Sequence, residues 1–324
     1  MEKVKIGLIG VGHLGKIHLS QWKSIEKADI VGIYDTNAEL ARAVSTEFNV
    51  MAFDHVEQLI EMSDAIDIVT PTTSHFYYAE KAIKASKHIF VEKPVTEDLD
   101  EANTLMELAS EAHIKAQVGH VERFNPAFLA LKGKAINPQF IEVHRLAPFN
   151  PRGNEVPVVL DLMIHDIDII LSLIKSDIKY ISANGVGIIN KTADIANARI
   201  EFANGAAANL TASRISMKKM RKMRIFQPNK YLTIDFLDKK TEIYSIESDN
   251  LDSIEGLEFQ DYQGANKKLC FDQPEIEFIN SIKLELELFV ESILNDTIPP
   301  VTLKDGYLAL KVAQEIVKKI EKFN

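Results

Sequence analysis

The sequence predicts an α/β chain in two parts: a doubly wound parallel sheet over residues 1–120, then a second α/β domain with a mostly antiparallel sheet over 121–324. Three observations lead there. A glycine-rich turn stands directly behind the first apolar strand pattern, and short apolar runs alternate with helical patterns up to about residue 120. Beyond residue 140, strand-like runs succeed one another with turns rather than helices between them.

The first strand is read from Val4, Ile6, Leu8 and Ile9, after which Gly10, Gly12 and Gly15 fill a GxGxxG spacing. Each glycine has its own task. The first allows a tight turn, the second lets backbone approach a pyrophosphate, and the third lets the next helix pack closely on its strand. That helix opens with His13 and Leu14, where free N–H groups attract phosphate oxygens. A second strand over 30–34 ends at Asp35. An acid there accepts hydrogen bonds from adenosine ribose hydroxyls and repels a 2′-phosphate. The pattern points to dinucleotide binding, with NAD favoured over NADP; the alternative is an ordinary strand–turn–helix unit. Arg42, the next cation, belongs on a solvated helix face.

Asn37 caps a helix running to about residue 48, and a weak strand over 50–53 follows. Next come a helix over 56–62, a strand over 66–70, a helix over 74–85, a strand over 88–92, a helix over 99–113 and a strand over 115–119. Strands separated by helices of this length pair in parallel through right-handed crossovers. In the second part, a short helix over 126–132 leads to a strand over 140–146 and a loop containing Pro148, Asn150, Pro151, Asn154 and Pro157. A strongly apolar helix spans 158–174. Strands are then expected over 180–189, 197–202, 206–215, 223–227, 231–236 and 242–246, with a hairpin turn at 203–205. Helices over 275–294 and 304–322, separated by Pro299 and Pro300, close the chain; residues 248–274 take no clear assignment.

Composition narrows the function classes. With 46% hydrophobic and 26% charged residues, the 324-residue chain reads as a globular protein of two domains. A formal charge of −10 and the lack of a long basic tract argue against nucleic acid as a partner. No apolar run reaches the ~18 residues of a membrane span, and the first apolar run is too short and glycine-broken for a signal peptide. Cys270 is the one cysteine, which excludes an intrachain disulfide and fits a reducing, cytoplasmic setting.

Three constellations carry candidate chemistry at strand ends and on the helix of the second domain. Thr70-Pro71-Thr72-Thr73-Ser74-His75 ends a strand. There the backbone of Thr70 and Pro71, with His75, is expected to line the nicotinamide end of a cofactor, unless the segment is only a proline turn with a hydroxyl cap. Glu92-Lys93-Pro94 ends the next strand. Lys93 is placed to hydrogen-bond a substrate hydroxyl and stabilise a developing alkoxide, the alternative being a solvated lysine. Asp161 and His165 stand at i and i+4 inside the apolar helix, on one face. Histidine exchanges protons near neutrality, and a carboxylate orients it. Asp166 and Asp168 leave open a polar stripe that satisfies itself. Metal ligation by Asp161 and His165 lacks a third ligand at matching spacing.

The GxGxxG turn, the Thr-Pro element, the Glu-Lys-Pro triplet and the DxxxH helix, in this order, make the chain resemble the glucose–fructose oxidoreductase, inositol dehydrogenase and MocA family over essentially its whole length. The resemblance implies an NAD- or NADP-binding Rossmann domain, followed by an α/β domain whose large open sheet builds a homodimer or homotetramer. It assigns Lys93 as catalytic lysine, Asp161 as the supporting acid and His165 as the proton-transferring histidine, with Glu92 beside the cofactor. It also implies a cis bond between Lys93 and Pro94. One departure is Pro157-Val158-Val159, where many members carry paired glycines.

Residues 119–126, GHVERFNP, with 162–168, LMIHDID, resemble the branch of UDP-N-acetylglucosamine 3-dehydrogenases. A nucleotide sugar brings a pyrophosphate, for which Arg123 and the basic residues Lys218, Lys219, Arg221 and Lys222 are candidate ligands. A solvated strand connection is the plain alternative for that segment. The expectation is therefore hydride transfer between a sugar secondary alcohol and NAD, the sugar being nucleotide-linked. The alternatives are a free monosaccharide or inositol as substrate, and a non-catalytic NAD-binding sensor or assembly subunit.

Overall fold

The computed structural model describes residues 3–150, 156–248 and 255–322. Pro151 and Asn154 of the expected loop, and 249–254 of the unassigned stretch, lie outside them. The chain divides into two compact units: Met1–Phe124 with Asn280–Lys311, and Asn125–Ile279 with Val312–Asn324. The first unit thus closes just past the division drawn at 120. It also takes in a late segment that a linear reading places with the second domain.

In the first unit, strands and helices alternate: β1 (Val4–Ile9), α1 (His13–Trp22), β2 (Ala28–Tyr34), α2 (Ala38–Phe48), α3 (Val56–Met62), β3 (Ala65–Ile68), α4 (His75–Lys84), β4 (His88–Glu92), α5 (Leu99–Glu111) and β5 (Ala116–Gly119). The strands form one parallel sheet in the order β2-β1-β3-β4-β5. The expected strand over 50–53 shrinks to a single bridge from Ala52 to Ile33. Asn37 caps α2 as expected, accepting from the Leu40 N–H at 3.0 Å. Asp98 does the same for α5 through Glu101. The core under the sheet gathers Ile6, Leu8, Leu19, Trp22, Ile33 and Phe90, against which Leu286, Phe289 and Val290 of a late helix pack.

The second unit starts with α6 (Pro126–Leu129) and β6 (Phe140–Leu146). The expected apolar helix follows in two pieces, a π-helical turn at Val159–Met163 and α7 (Ile164–Leu173). Seven further strands come before the last elements: β7 (Ile178–Val186), β8 (Ile195–Phe202), β9 (Ala207–Ser213), β10 (Met220–Gln227), β11 (Lys230–Asp235), β12 (Lys240–Glu247) and β13 (Leu257–Gln260). β14 (Asn266–Asp272) completes a nine-stranded sheet, ordered β13-β14-β12-β11-β10-β6-β9-β8-β7. All its neighbours are antiparallel except β6 and β9. Helix α8 (Ser281–Leu294) belongs to the first unit; α9 (Leu303–Glu321) begins there and ends in the second. Among the described residues, no helix is long and apolar enough to cross a membrane.

Side-chain alternation gives the large sheet two unlike faces. Ile141, Val143, Met223, Ile225, Leu232 and Ile234 are buried on one. On the other, Phe140, Phe226, Tyr231, Tyr244 and Phe271 occupy successive cross-strand positions and form a ladder of ring contacts, with centroids 4.8–5.6 Å apart. Phe226 and Phe271 are exposed at 36% and 55%.

Candidate active site

The glycine turn is built as its spacing predicts. Gly10 has φ +92°, and a Cβ there would stand 2.7 Å from the Val69 carbonyl oxygen. A Cβ on Gly15 would come within 2.0 Å of the Gly10 carbonyl, so α1 could not start where it does. Gly12 is different: nothing lies within 4 Å of its missing Cβ. The open space lies at the helix N-terminus, where no side chain caps α1 and no acid occupies the first turn. A group with negative charge therefore fits against His13 and Leu14 without displacing any capping side chain. Asp35 braces the turn, accepting from the Val11 N–H and the Asn37 N–H, each at 2.9 Å. Each carboxylate oxygen keeps lone-pair capacity for ribose hydroxyls.

At the end of β3, Ser74 Oγ reaches Thr70 Oγ1 and the Pro71 carbonyl, both at 2.9 Å. His75 does not offer its ring outward. It is 1% exposed, with Nδ1 2.8 Å from the Pro94 carbonyl and Nε2 2.9 Å from that of Thr70. Burial pulls its pKa below the ordinary value, against the backbone hydrogen bonds that favour the cation. The ring ties the Thr-Pro turn to the Lys93-Pro94 bond, which is cis. Pro71 and Thr73 are the exposed positions of this segment, with Thr70 half-buried.

Glu92 also turns inward. Its Oε2 accepts from the Lys93 N–H at 3.1 Å, and its Oε1 lies 3.2 Å from His18 Nε2. Gly119 makes room for it, since a Cβ there would be 2.7 Å from Oε1. Burial alone would raise the Glu92 pKa; the hydrogen bond and charge of His18, with Lys93, outweigh burial and lower it. On its other side, His18 Nδ1 meets Asp67 Oδ2 at 2.9 Å, and the same oxygen accepts from Trp22 Nε1 at 2.7 Å. Burial opposes the charged imidazole, yet Asp67 and Glu92 together lift its pKa well above 6.5. This polar knot was not read from the sequence. Its one visible signal is Asp67, an acid inside an otherwise apolar strand.

In the second unit, Asp161 lies in the π-helical turn and His165 near the start of α7, both half-buried. π-turns inside helices mark functional positions often. Asp166 has a partner on another element. Arg145 on β6 holds it with Nε–Oδ2 at 2.8 Å and Nη2–Oδ1 at 2.7 Å, both residues buried. Arg145 is a structural partner of this helix that the sequence reading missed.

The basic candidates are not gathered in one place. Arg221 pairs in register with Arg145 on β10 and β6, so alternation puts both on the helix-covered face with Met223 and Ile225. Lys222 emerges on the aromatic face and bonds Asp235 at 3.0 Å. Lys218 and Lys219 are exposed in the turn before β10. Arg123, in the 3₁₀ turn Val121–Phe124 of the first unit, has a side chain 14% exposed and faces Asp305 at 3.4 Å.

Residues 4–120 match the family described as "Oxidoreductase family, NAD-binding Rossmann fold", and residues 146–230 match the GFO/IDH/MocA C-terminal domain. The chain is 36% identical over 294 residues to UDP-N-acetylglucosamine 3-dehydrogenase from Acidithiobacillus ferrooxidans, covering 90% of this chain and 93% of that one. It belongs to the Gfo/Idh/MocA oxidoreductase family. A crystal form of the same Acidithiobacillus enzyme superposes with TM-score 0.91 at 34% identity, over 100% of this chain and 99% of the other. The family member scyllo-inositol 2-dehydrogenase (NAD(+)) from Bacillus subtilis is 32% identical over 235 residues, 66% of this chain and 68% of that one. The first unit is accordingly an NAD-binding Rossmann domain, and the chain a dehydrogenase of this family.

Proposed function

We propose that this dehydrogenase oxidises the C3 hydroxyl of a UDP-N-acetylglucosamine-like nucleotide sugar with NAD, in the cytoplasm. The observation that carries the reading is the end-to-end similarity to the Acidithiobacillus enzyme, a UDP-N-acetylglucosamine 3-dehydrogenase. The residues supply matching chemistry. Bound NAD provides the hydride acceptor, nicotinamide C4. His165 takes the hydroxyl proton as the C–H bond breaks, and Asp161 steadies the imidazolium. Lys93 donates to the substrate oxygen and stabilises its developing negative charge. Gly10, Gly12, Gly15 and the N–H groups at His13 and Leu14 receive the pyrophosphate of the cofactor. Asp35 takes the adenosine ribose, which favours NAD over NADP. Thr70, Pro71 and the Glu92–Lys93 strand end border the nicotinamide, with His75 holding that border in shape.

The pyrophosphate of the sugar nucleotide is received by Arg221, Lys218 and Lys219 in this reading. The aromatic ladder supports assembly of a homodimer or homotetramer through the outer face of the large sheet, because exposed rings of this extent are normally covered.

A second reading has one observation in its favour. Lys222 is on the opposite sheet face from Arg221, and Arg123 already faces Asp305, so the basic set is smaller than its sequence suggests. A free monosaccharide or inositol needs no such set. The test is NADH formation at 340 nm with UDP-N-acetylglucosamine, N-acetylglucosamine, glucose and inositols offered separately. Turnover of the nucleotide sugar alone supports the main reading; turnover of inositol alone replaces it. Binding of NAD without turnover of any of them favours a sensor.

A further inference from the structure

Glu285 on α8 is fully buried, and neither of its carboxylate oxygens has a hydrogen-bond partner. It lies in the first unit beside His18 and Glu92: one ligating atom from each of the three falls within 4.8 Å of the others. The surrounding donors are already spoken for. Trp22 Nε1 and His18 Nδ1 both serve Asp67. The Lys93 N–H serves Glu92, and Gln117 Nε2 donates at 2.9 Å to the backbone carbonyl of Glu285 rather than to its side chain. His18 Nε2 faces Glu92 Oε1 at 3.2 Å. Three carboxylates, Asp67, Glu92 and Glu285, therefore surround the buried imidazole of His18.

An ionised Glu285 here would be a buried charge with no donor, next to a second carboxylate. A protonated Glu285 becomes a donor and removes both problems at once. A second carboxylate nearby favours the neutral form further. A divalent ion is the other solution, and the His18–Asp67 contact is of the kind that orients histidine ligands. The two solutions differ in what they leave in the protein, a carboxyl proton or a stoichiometric ion.

We propose that Glu285 is held as a neutral carboxylic acid beside Glu92, and that it acts as a positioning residue for the Glu92–Lys93 strand end. Its importance for catalysis rests on the role proposed above for Lys93; its protonation does not. The charged groups around it agree. Burial first, then the negative charges of Glu92 and Asp67, push the Glu285 pKa well above the carboxylate range, with His18 pulling the other way. Helix α8 also packs on α1 and on the 3₁₀ turn Val121–Phe124, where Arg123 faces Asp305. Lys16, elsewhere on α1, bonds Glu47.

The test is infrared spectroscopy of the full-length protein in water and deuterium oxide at neutral and mildly alkaline pH, with wild type, Glu285→Gln and Glu285→Met compared. A protonated-carboxyl C=O band is expected in wild type, shifted by deuterium, persisting at alkaline pH and absent from Glu285→Gln. Fluorescence titration with NADH gives the positioning readout. Glu285→Gln, which still donates a hydrogen bond, should bind NADH as wild type does, whereas Glu285→Met should bind it at least ~10-fold more weakly. The proposal falls if the band is missing, if it survives in Glu285→Gln, or if elemental analysis finds a stoichiometric metal lost in that variant. It falls equally if Gln and Met weaken NADH binding alike. A band with the stated behaviour in a protein that oxidises no sugar would sink the proposed function and leave the neutral Glu285 in place.

Discussion

Arg145 and Asp166 form a two-pronged ion pair inside the second unit, with N–O distances of 2.8 and 2.7 Å. It joins β6 to α7 one residue after His165, so it fixes the rotation of the helix that carries the proposed proton acceptor. A planar guanidinium suits this pairing and an ammonium does not.

Arg145→Met should strip the buried Asp166 of this two-pronged pair, at a cost of about 3–5 kcal/mol. Urea denaturation would register this as a lower midpoint. Arg145→Met with Asp166→Leu removes both charges, and should regain most of the stability. If the single variant were as stable as wild type, the pair would not be holding the helix.

The glycines separate folding from cofactor binding. Gly15→Ala drives a Cβ into the Gly10 carbonyl at 2.0 Å, a backbone clash that should cost about 3 kcal/mol or more. Gly12→Ala meets no protein atom within 4 Å. It should fold normally and yet bind NADH at least ~10-fold more weakly, because the methyl occupies the space meant for the pyrophosphate. Thermal unfolding and NADH titration of both variants check the contrast; unaltered affinity in Gly12→Ala would move the phosphates elsewhere.

These results show what a linear reading can reach. The parallel sheet was legible because β3 and β4 are mostly apolar and separated by helical patterns. The strands β13 and β14 were not, because they are mostly exposed and show no apolar face to give a period of two. The late helix was placed six residues early. It starts at Ser281, behind Asn280, which caps it by accepting from the Lys283 N–H. The π-turn inside the helix over 158–174 is hidden because nearly every position there is apolar, so no phase slip shows. Lys93, Asp161 and His165 were visible as motifs, whereas His18, Asp67 and Glu285 acquire meaning only when the fold brings distant residues together. The same limit made the basic segment look like one patch, when strand alternation splits it.

Asp194 gives a pH dependence with a definite sign. Burial would raise its pKa, but N–H groups of Ile188, Ile189 and Asn190 at 2.7–3.0 Å, with the Asn190 side chain, bring it down to about 2. A lowered carboxylate stabilises the fold above its unfolded value of about 3.9, and that contribution disappears as pH falls through the folded value. Asp194→Asn should therefore be less stable by about 2 kcal/mol at neutral pH. The difference should shrink between pH ~4 and pH ~2. Urea midpoints across that range test it, and a pH-independent gap would mean that packing rather than charge is responsible.

For the proposed chemistry, His165→Ala and Lys93→Met should each reduce turnover by roughly 100- to 10,000-fold. His165→Ala should leave NADH affinity intact, since histidine is assigned to the substrate proton rather than to the cofactor. Asp161→Asn keeps the shape but loses the charge that supports an imidazolium, and its turnover should fall as well. Near-normal rates in both His165→Ala and Lys93→Met would remove these residues from the reaction.

Arg221 and Lys222 are adjacent in sequence and opposite in space, which makes them a matched pair for the substrate question. Arg221→Ala removes a cation from the face carrying the Asp161–His165 helix; Lys222→Ala removes one from the aromatic face and breaks its bond to Asp235. A charge-assisted contact to a phosphate is worth about 1.5–3 kcal/mol. Arg221→Ala should accordingly raise KM for the nucleotide sugar ~10-fold or more at unchanged kcat, and Lys222→Ala should not. Equal effects would show that the loss is general electrostatics. No effect from Arg221→Ala, alone or with Lys218→Ala and Lys219→Ala, would take the pyrophosphate away from this strand and strengthen the reading in which the substrate carries none.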